Sequence, residues 1–443
     1  MAKVKMQQEE KKTNLIRGIR RWEAVAVAIN SIIGAGIFGL PSNVAALIGP
    51  YSVIAFVVCA FITTLLILSF AEVCSRFNET GGPYLYAREA FGSVAGFQVG
   101  WLMWLARVTA FAANCNLLIA YLSFFWPAAS TTWPRAILIT IIVIALTMVN
   151  VTGIRDTTMV SNIFSVGKLI PIFIFIAVGL FFLAPENFSI ASQPELKNFS
   201  KSVLLLVYAF SGFEIALIPA GEAREPQRSM PFAIITSIGV VSVVYILIQV
   251  VCIGTFPELA GSQRPLADAA YKFMGAPGAA VITAGVIISI IGNLTVVLLA
   301  GSRLPFAMAR RHELPRLLAT IHERYRTPHL AICLTGAVMF VLTISGTFIY
   351  VVTISTLVRL VAYGATCLAL FVLRRRDPQG ALFRVPLIVP FAALALIGWL
   401  LYNITFLEAR PTIIAGGTGL LIYAVYRVLS RQSMKTTINE EKI

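Results

Sequence analysis

Apolar runs of about 18 or more residues, the length a helix needs to cross a bilayer, follow one another along almost the whole chain. A segment lying in lipid must satisfy its backbone N–H and C=O groups internally, which a helix does within one segment. Twelve segments are read, at 24–48, 51–73, 95–126, 135–152, 159–184, 202–221, 230–255, 278–302, 329–345, 348–372, 385–407 and 411–429. Charged residues are only 12% of the 443, whereas soluble domains carry about 25%. Too few remain to coat a water-facing surface of this size, so a soluble enzyme and a disordered chain are excluded. The expected fold class is an all-α membrane protein with 12 transmembrane helices.

The net charge of +15 would suit a nucleic-acid binder, but its placement has another explanation. When the gaps between segments are assigned alternately to two sides, 26 of the 35 Lys and Arg fall on the side that carries both termini. Six fall on the other side (Arg135, Lys197, Lys201, Arg264, Lys272, Arg410) and three within segments (Arg107, Lys168, Arg359), with Arg427, near the end of the last segment, counted with the C-terminal tail. Basic residues mark the cytoplasmic face. A dispersed bias that alternates loop by loop is a topology signal rather than a polybasic patch for RNA or lipid. Both termini are therefore expected in the cytoplasm, residues 1–23 as a basic tail and 430–443 as a second, with the chain multi-pass in the cell membrane. The first segment is too long for a signal-peptide core and runs on into a second span, so it reads as uncleaved.

Other chemistries find little support. The six cysteines (Cys59, Cys74, Cys115, Cys252, Cys333, Cys367) lie in or at the ends of apolar segments without CxxC spacing, and read as small core residues. His312, His322 and His329 have no zinc-ligand spacing. There is no GxxxxGK[ST] phosphate loop, so ATP is not the energy source. Neither paired acids nor a Ser/His/Asp set occurs in the segments. No enzyme activity, cofactor or metal is expected.

Two segments are interrupted. The first contains Asn30-Ser31-Ile32-Ile33-Gly34-Ala35-Gly36-Ile37-Phe38-Gly39-Leu40-Pro41, with three glycines and a proline at mid-membrane depth; the sixth contains Tyr208-Ala209-Phe210-Ser211-Gly212-Phe213-Glu214. A mid-helix glycine costs about 1 kcal/mol relative to alanine. Unwound backbone survives in a bilayer only where protein or a cavity satisfies it. Breaks in segments 1 and 6, each opening a set of five, form the pattern of an inverted-repeat transporter with its site at the midplane. Gly34 and Gly36 equally suit close helix packing of the small-xxx-small kind, and spacing alone leaves both readings open.

At these residues the chain resembles the permeases of the amino acid–polyamine–organocation superfamily, with the LeuT-type fold. The resemblance spans nearly the whole chain. It rests on Gly34-Ala35-Gly36-Ile37-Phe38, on Thr80-Gly81-Gly82-Pro83-Tyr84-Leu85-Tyr86 with Phe91-Gly92, and on Phe210-Ser211-Gly212-Phe213-Glu214 continuing to Gly221-Glu222 and Glu225-Pro226-Gln227-Arg228. It implies a 5+5 inverted repeat with helices 1 and 6 broken. The transporter core would be 24–372, with repeats at about 24–184 and 202–372, followed by two extra helices in 385–429.

A site follows from the two breaks. Where helix 1 unwinds at Gly34, the N–H groups of Ala35, Gly36 and Ile37 face out from the positive start of a half-helix. Such an end favours a carboxylate by up to about 2 kcal/mol. Glycine lets that backbone approach a ligand without a Cβ between them. Carbonyls freed at Ile32 and around Tyr208 can accept from an ammonium. The pair makes a receptor for an α-amino acid built mainly of backbone, and the resemblance assigns the same roles. Relatives often carry Ser where this chain has Ala35, which leaves the carboxylate to N–H groups alone.

By the same resemblance Tyr208 is the aromatic gate over the substrate, and Ser211 sits with it in the second break. Phe210 is either a ligand contact or a packed core aromatic. Asn293 and Val296 of helix 8 are expected to point into the pocket, with Val296 replacing a large aromatic of some relatives. Glu214, an intramembrane acid, is a functional candidate. It reads either as the group that couples helix 6 movement to protonation or gating, or as a buried carboxylate held by backbone N–H groups.

Two intramembrane cations complete the set. Lys168 lies mid-segment, where a cation costs roughly 3 kcal/mol or more. The resemblance puts it where sodium-coupled relatives bind Na⁺, so sodium-independent transport is expected, by proton symport or exchange. A permanent cation clamping helix 1 is the other reading. Arg107 cannot readily shed its charge and needs an anion or carbonyls. The candidates are Glu214, which would make a structural or gating pair, and a substrate carboxylate, which would favour acidic substrates. An Arg capped by carbonyls or reaching toward an interface, like Arg359 in helix 10, is the third. The expected function is secondary transport of α-amino acids by alternating access, as a monomer or homodimer. The rivals are an amino-acid receptor that keeps the permease fold and an ion channel.

Overall fold

The computed structural model describes residues 20–77, 81–153, 169–189, 193–218 and 223–440, with side chains as far as 428. Among the described residues every regular element is a helix. The first apolar segment is two helices, α1 (Arg21–Ile32) and α2 (Gly36–Ile48), and the second is α3 (Ser52–Cys74). A short helix, α4 (Gly82–Phe91), precedes α5 (Ser93–Leu122) and α6 (Thr132–Thr152). The fifth segment is described over α7 (Leu169–Phe182). The sixth is again two helices, α8 (Leu196–Phe210) and α9 (Phe213–Ala216). The remainder are α10 (Pro226–Thr255), α11 (Pro265–Arg310), α12 (His329–Ser345), α13 (Phe348–Arg376), α14 (Ile388–Tyr402) and α15 (Phe406–Glu440).

All twelve apolar segments thus carry helix. Eight described stretches are long and apolar enough to cross a membrane, one of them running α2 and α3 together, and α7, α12 and α14 are shorter apolar helices. Two boundaries depart from the apolar runs. α4 is missed by hydropathy because Arg88 and Glu89 interrupt its ten residues. α11 begins well before the apolar run at 278 and bends at Gly275 (φ 66°, ψ −170°), a conformation open to glycine. On α6 the residues Ile137, Ile141, Ile144 and Met148 are exposed at helical spacing. That outward apolar stripe inverts the pattern of a water-soluble helix.

α5 is the buried axis of the bundle, packed against α11, α13, α12 and α4. α10 lies against α3 and α1, and α2 against α8. The two helix breaks meet. In the first, Ile33 leaves helical geometry (ψ 85°) and α2 restarts at Gly36. In the second, Ser211 is extended and Gly212 takes φ 111°, ψ −18° before α9 begins. A Cβ on Gly212 would overlap the carbonyl oxygen of Ser31 at the end of α1, and one on Gly36 would lie 2.7 Å from the Cα of Ala209 in α8. Each break is therefore held by a glycine pressed against the other broken helix. Left-handed backbone strain and overpacking each cost about 1–3 kcal/mol. Gly212→Ala should therefore lower stability by about 2 kcal/mol or more, read as a fall in the thermal midpoint of the detergent-solubilised protein.

At one end of the bundle, polar clusters tie segments together. The buried carboxylate of Glu72 (α3) accepts from Arg374 of α13, from Arg76 and from the N–H of Val385. After α11, Glu313 accepts from the Tyr84 hydroxyl at 2.8 Å and from Arg88 at 3.3 Å, which fastens α4 to that loop. Burial pushes the Glu313 carboxyl above the usual carboxylate range, against the opposing pull of Tyr84, Arg88 and Arg311. A carboxyl raised in the folded state contributes most below its unfolded pKa and loses that contribution as pH rises through the folded value. Between about pH 4 and about pH 8, the wild type should lose thermal stability relative to Glu313→Gln. Parallel profiles for the two proteins would show that Glu313 titrates normally.

Candidate functional site

Where the breaks meet, α1, α2, α5, α8, α9, α11 and α13 line one cavity. It is lined by Ile32, Gly34, Ala35, Gly36, Arg107, Tyr208, Ser211 and Asn293 of the expected residues, joined by Ser31, Ala110, Asn114, Ala209, Gly212, Ile215, Val297 and Arg359. Its volume is about 30 Å³, less than an amino acid fills, and it is not sealed from its surroundings.

Three of the expected residues do not line the cavity with their side chains, for identifiable reasons. Phe210 is fully buried and packs edge-on against Tyr245, 5.1 Å between ring centres, with Phe56 on another side; the core-aromatic reading is the one the geometry supports. Ile37 is a buried core residue whose side chain does not line the cavity, although its N–H lies in the first turn of α2. Val296 does not line the cavity and is 36% exposed on the outer side of α11. Val297 takes the place expected for it, because a step of four residues from Asn293 stays nearer the same helix face than a step of three. Lys168 lies outside the described residues.

The carbonyls expected to be free already have donors. The Ile32 carbonyl accepts from the Gly34 N–H at 2.7 Å and from the Tyr245 hydroxyl at 3.1 Å. The Tyr208 carbonyl accepts from the Ser211 N–H at 3.2 Å and from its hydroxyl at 2.7 Å. A tyrosine of α10 and a serine of the second break therefore occupy what the sequence offers to an ammonium. Tyr245 also lies 3.3 Å from the Ala209 carbonyl, so its hydroxyl sits between the two broken helices.

A polar chain crosses the cavity. The Tyr208 hydroxyl donates to Asn114 Oδ1 at 2.7 Å, and Asn114 Nδ2 donates to Asn293 Oδ1 at 2.6 Å, linking α8, α5 and α11. Beneath it lies the charged cluster. Glu214, in α9, is fully buried, and its Oε2 accepts from the Gly212 N–H and the Tyr363 hydroxyl, both at 2.8 Å. Its Oε1 lies 3.1 Å from Arg107 and 3.5 Å from Arg359 as charge contacts without an aligned hydrogen bond. Glu214 is thus a buried carboxylate bonded to backbone, as one of its two readings has it, and it also pairs with Arg107. Arg359 is capped by carbonyls, those of Ser355 and Ala106, and also reaches Glu214.

Asn114, Tyr245 and Tyr363 are not singled out by the sequence reading, yet a signal for them exists. Arg107, Ala110 and Asn114 follow at i, i+3, i+7 and all line the cavity, so a search for polar residues in register with Arg107 finds Asn114. Ser355, Arg359 and Tyr363 repeat every four residues along α13 in the same way.

Residues 19–427 match the family model described as amino acid permease. The chain belongs to that family. It is 29% identical over 440 residues to a methylthioribose transporter of Bacillus subtilis (strain 168), covering 94% of this chain and 95% of that one. The same organism's branched-chain amino acid permease BcaP is 26% identical over 437 residues, 93% of each chain. Its serine/threonine exchanger SteT is 28% identical over 392 residues, 85% of this chain and 87% of the relative. Such relatives are transporters and permeases rather than enzymes. With its long apolar helices, this member of the family is a multi-pass membrane protein.

In this permease the Tyr208–Asn114–Asn293 chain is buried, and a buried polar group deprived of its partner costs about 1–3 kcal/mol. Tyr208→Phe, which leaves Asn114 Oδ1 without its donor, should destabilise by about 1 kcal/mol. Asn114→Ala, which strands both neighbours, should cost more. Thermal unfolding of the two purified variants checks the order.

Proposed function

We propose that this permease is a secondary active transporter of α-amino acids in the cytoplasmic membrane. It would have twelve spans, both termini cytoplasmic, and the five-plus-five inverted repeat that the resemblance implies. The single observation that carries this reading is the meeting of the two broken helices at one cavity. The start of α2 (Gly36, with Ala35 before it) and the end of α8 (Tyr208, Ala209) both line it. Family membership and the relatives named for branched-chain amino acids and for serine and threonine support the substrate class.

The substrate carboxylate would sit on the N–H groups at the start of α2, where the helix dipole and unsatisfied donors favour an anion. Its ammonium would take the Ile32 and Tyr208 carbonyls by displacing the Tyr245 and Ser211 hydroxyls, each of which can rotate to another acceptor. A void of about 30 Å³ must enlarge to admit any amino acid. Movement of α1, α2, α3, α8, α9 and α10 against the rest supplies that opening in this reading. The moving set would carry Glu214 and Tyr208, whose partners Arg107 and Asn114 belong to α5.

Sodium independence rests on Lys168, which the resemblance places in the space of a sodium ion. Proton symport and exchange are both compatible with it. Reconstituted into proteoliposomes, the protein should show counterflow of a radiolabelled α-amino acid without Na⁺. A channel gives no accelerated exchange, and a receptor binds without moving substrate. Gly36→Ala, whose Cβ would lie 2.7 Å from the Ala209 backbone, should cut uptake about ten-fold or more, equivalent to about 1.4 kcal/mol. Normal uptake by that variant removes the site from the helix breaks. Uptake that demands Na⁺, or a Lys168→Met variant with an unaltered pH profile, excludes proton coupling through Lys168.

A further inference from the structure

The charged side chains that line the cavity are both arginines. Arg107 and Arg359 face it, and no acidic side chain among the described residues does. Glu214 stands behind them, and a single oxygen, Oε1, lies between the two guanidinium groups. Neither arginine can shed its charge at any ordinary pH. The described cluster therefore carries two cations against one anion, with all three side chains at most 3% exposed. Buried charge normally comes paired, because unmatched charge in a low dielectric is strongly disfavoured.

The two arginines are held differently. Arg359 is anchored on the scaffold: Nη1 donates to the carbonyl and hydroxyl of Ser355, Nη2 donates to the Ala106 carbonyl at 3.3 Å, and the guanidinium lies over the Tyr208 ring. Arg107 has Glu214 as its ion-pair partner and no such anchoring by carbonyls among the described contacts; its buried Nε, like that of Arg359, has no hydrogen-bond partner. Gly301 lets α11 pack closely on α5 at this point, since a Cβ there would lie 3.3 Å from the Arg107 Cβ. A planar guanidinium with donors to spare, on the wall of a cavity with surplus positive charge, is built to take a carboxylate.

We propose that the substrate brings a second anionic group, so that this permease selects acidic amino acids, with Arg107 binding the side-chain carboxylate. This inference rests on the reading of the cavity as the substrate site. With the α-carboxylate on the start of α2, a neutral amino acid adds no net charge and leaves the surplus cation unmatched. A lysine or arginine substrate adds a third cation. An acidic amino acid supplies one net negative charge and leaves two guanidinium groups facing two carboxylates, that of Glu214 and that of the substrate side chain.

The test is a ligand panel on the wild-type protein. Thermal shift in detergent and counterflow in proteoliposomes would be measured with L-glutamate, L-aspartate, L-leucine, L-serine and L-lysine. Glutamate or aspartate should stabilise and exchange with a half-saturation about ten-fold or more below that of leucine or serine, and lysine should do neither. Arg107→Gln, which leaves Arg359 and Glu214 matched one to one, should reduce the preference for the acidic substrate about ten-fold or more, while Arg107→Lys retains part of it. Equal or better binding of neutral amino acids by the wild type overturns the inference and leaves amino-acid transport standing. An unchanged acidic preference in a folded Arg107→Gln protein overturns the role of Arg107. Failure of every amino acid to bind or exchange removes the transport reading and this one together.

Discussion

Two helices that stop inside a membrane expose backbone groups that lipid cannot satisfy, and in this permease the two interrupted helices answer for each other. Gly212 is pressed on the Ser31 carbonyl and Gly36 on the Ala209 backbone, while the Tyr245 hydroxyl lies between the Ile32 and Ala209 carbonyls. Most of the central architecture depends on this mutual satisfaction. The cavity exists because neither helix continues through it, and its walls are largely backbone because glycine and alanine line the breaks. The start of α2 borders the cavity because the restart at Gly36 follows the unwound residues directly. The cavity is thus a by-product of solving a hydrogen-bonding problem in lipid.

Charge is the second constraint. Glu214 sits one residue past the start of α9, where its carboxylate caps the break through the Gly212 N–H and also faces arginines from α5 and α13. One side chain therefore reports on the geometry of the second break to two helices of the surrounding bundle. The neighbouring Tyr363 hydroxyl completes its coordination. Any displacement of α9 relative to α5 and α13 changes these contacts together, and in a dry interior such contacts are strong enough to matter for the direction of movement.

The helical class, the segment positions and both breaks are legible in the sequence because membrane burial writes long apolar runs, and because glycines interrupting such runs are conspicuous. The cavity wall is legible wherever backbone makes it, at Ile32, Gly34, Ala35 and Gly36. Legibility fails where three-dimensional facing decides. Val296 and Val297 are indistinguishable by composition, and only the rotation of α11 separates the cavity wall from the outer surface. Phe210 belongs to the core because Phe56 and Tyr245 meet it, and neither is near in sequence. The Ile32 and Tyr208 carbonyls read as free because a break frees carbonyls, but the hydroxyls that fill them come from α10 and from the break itself. Arg359 reads as an isolated capped cation because Glu214 lies far away along the chain.

The charge of the cavity has a bearing on the membrane that surrounds it. A space walled partly by two arginines is a poor stepping stone for small cations. Its sign is wrong for protons or sodium ions to linger, so the helix breaks resist a cation leak by electrostatics rather than by a seal.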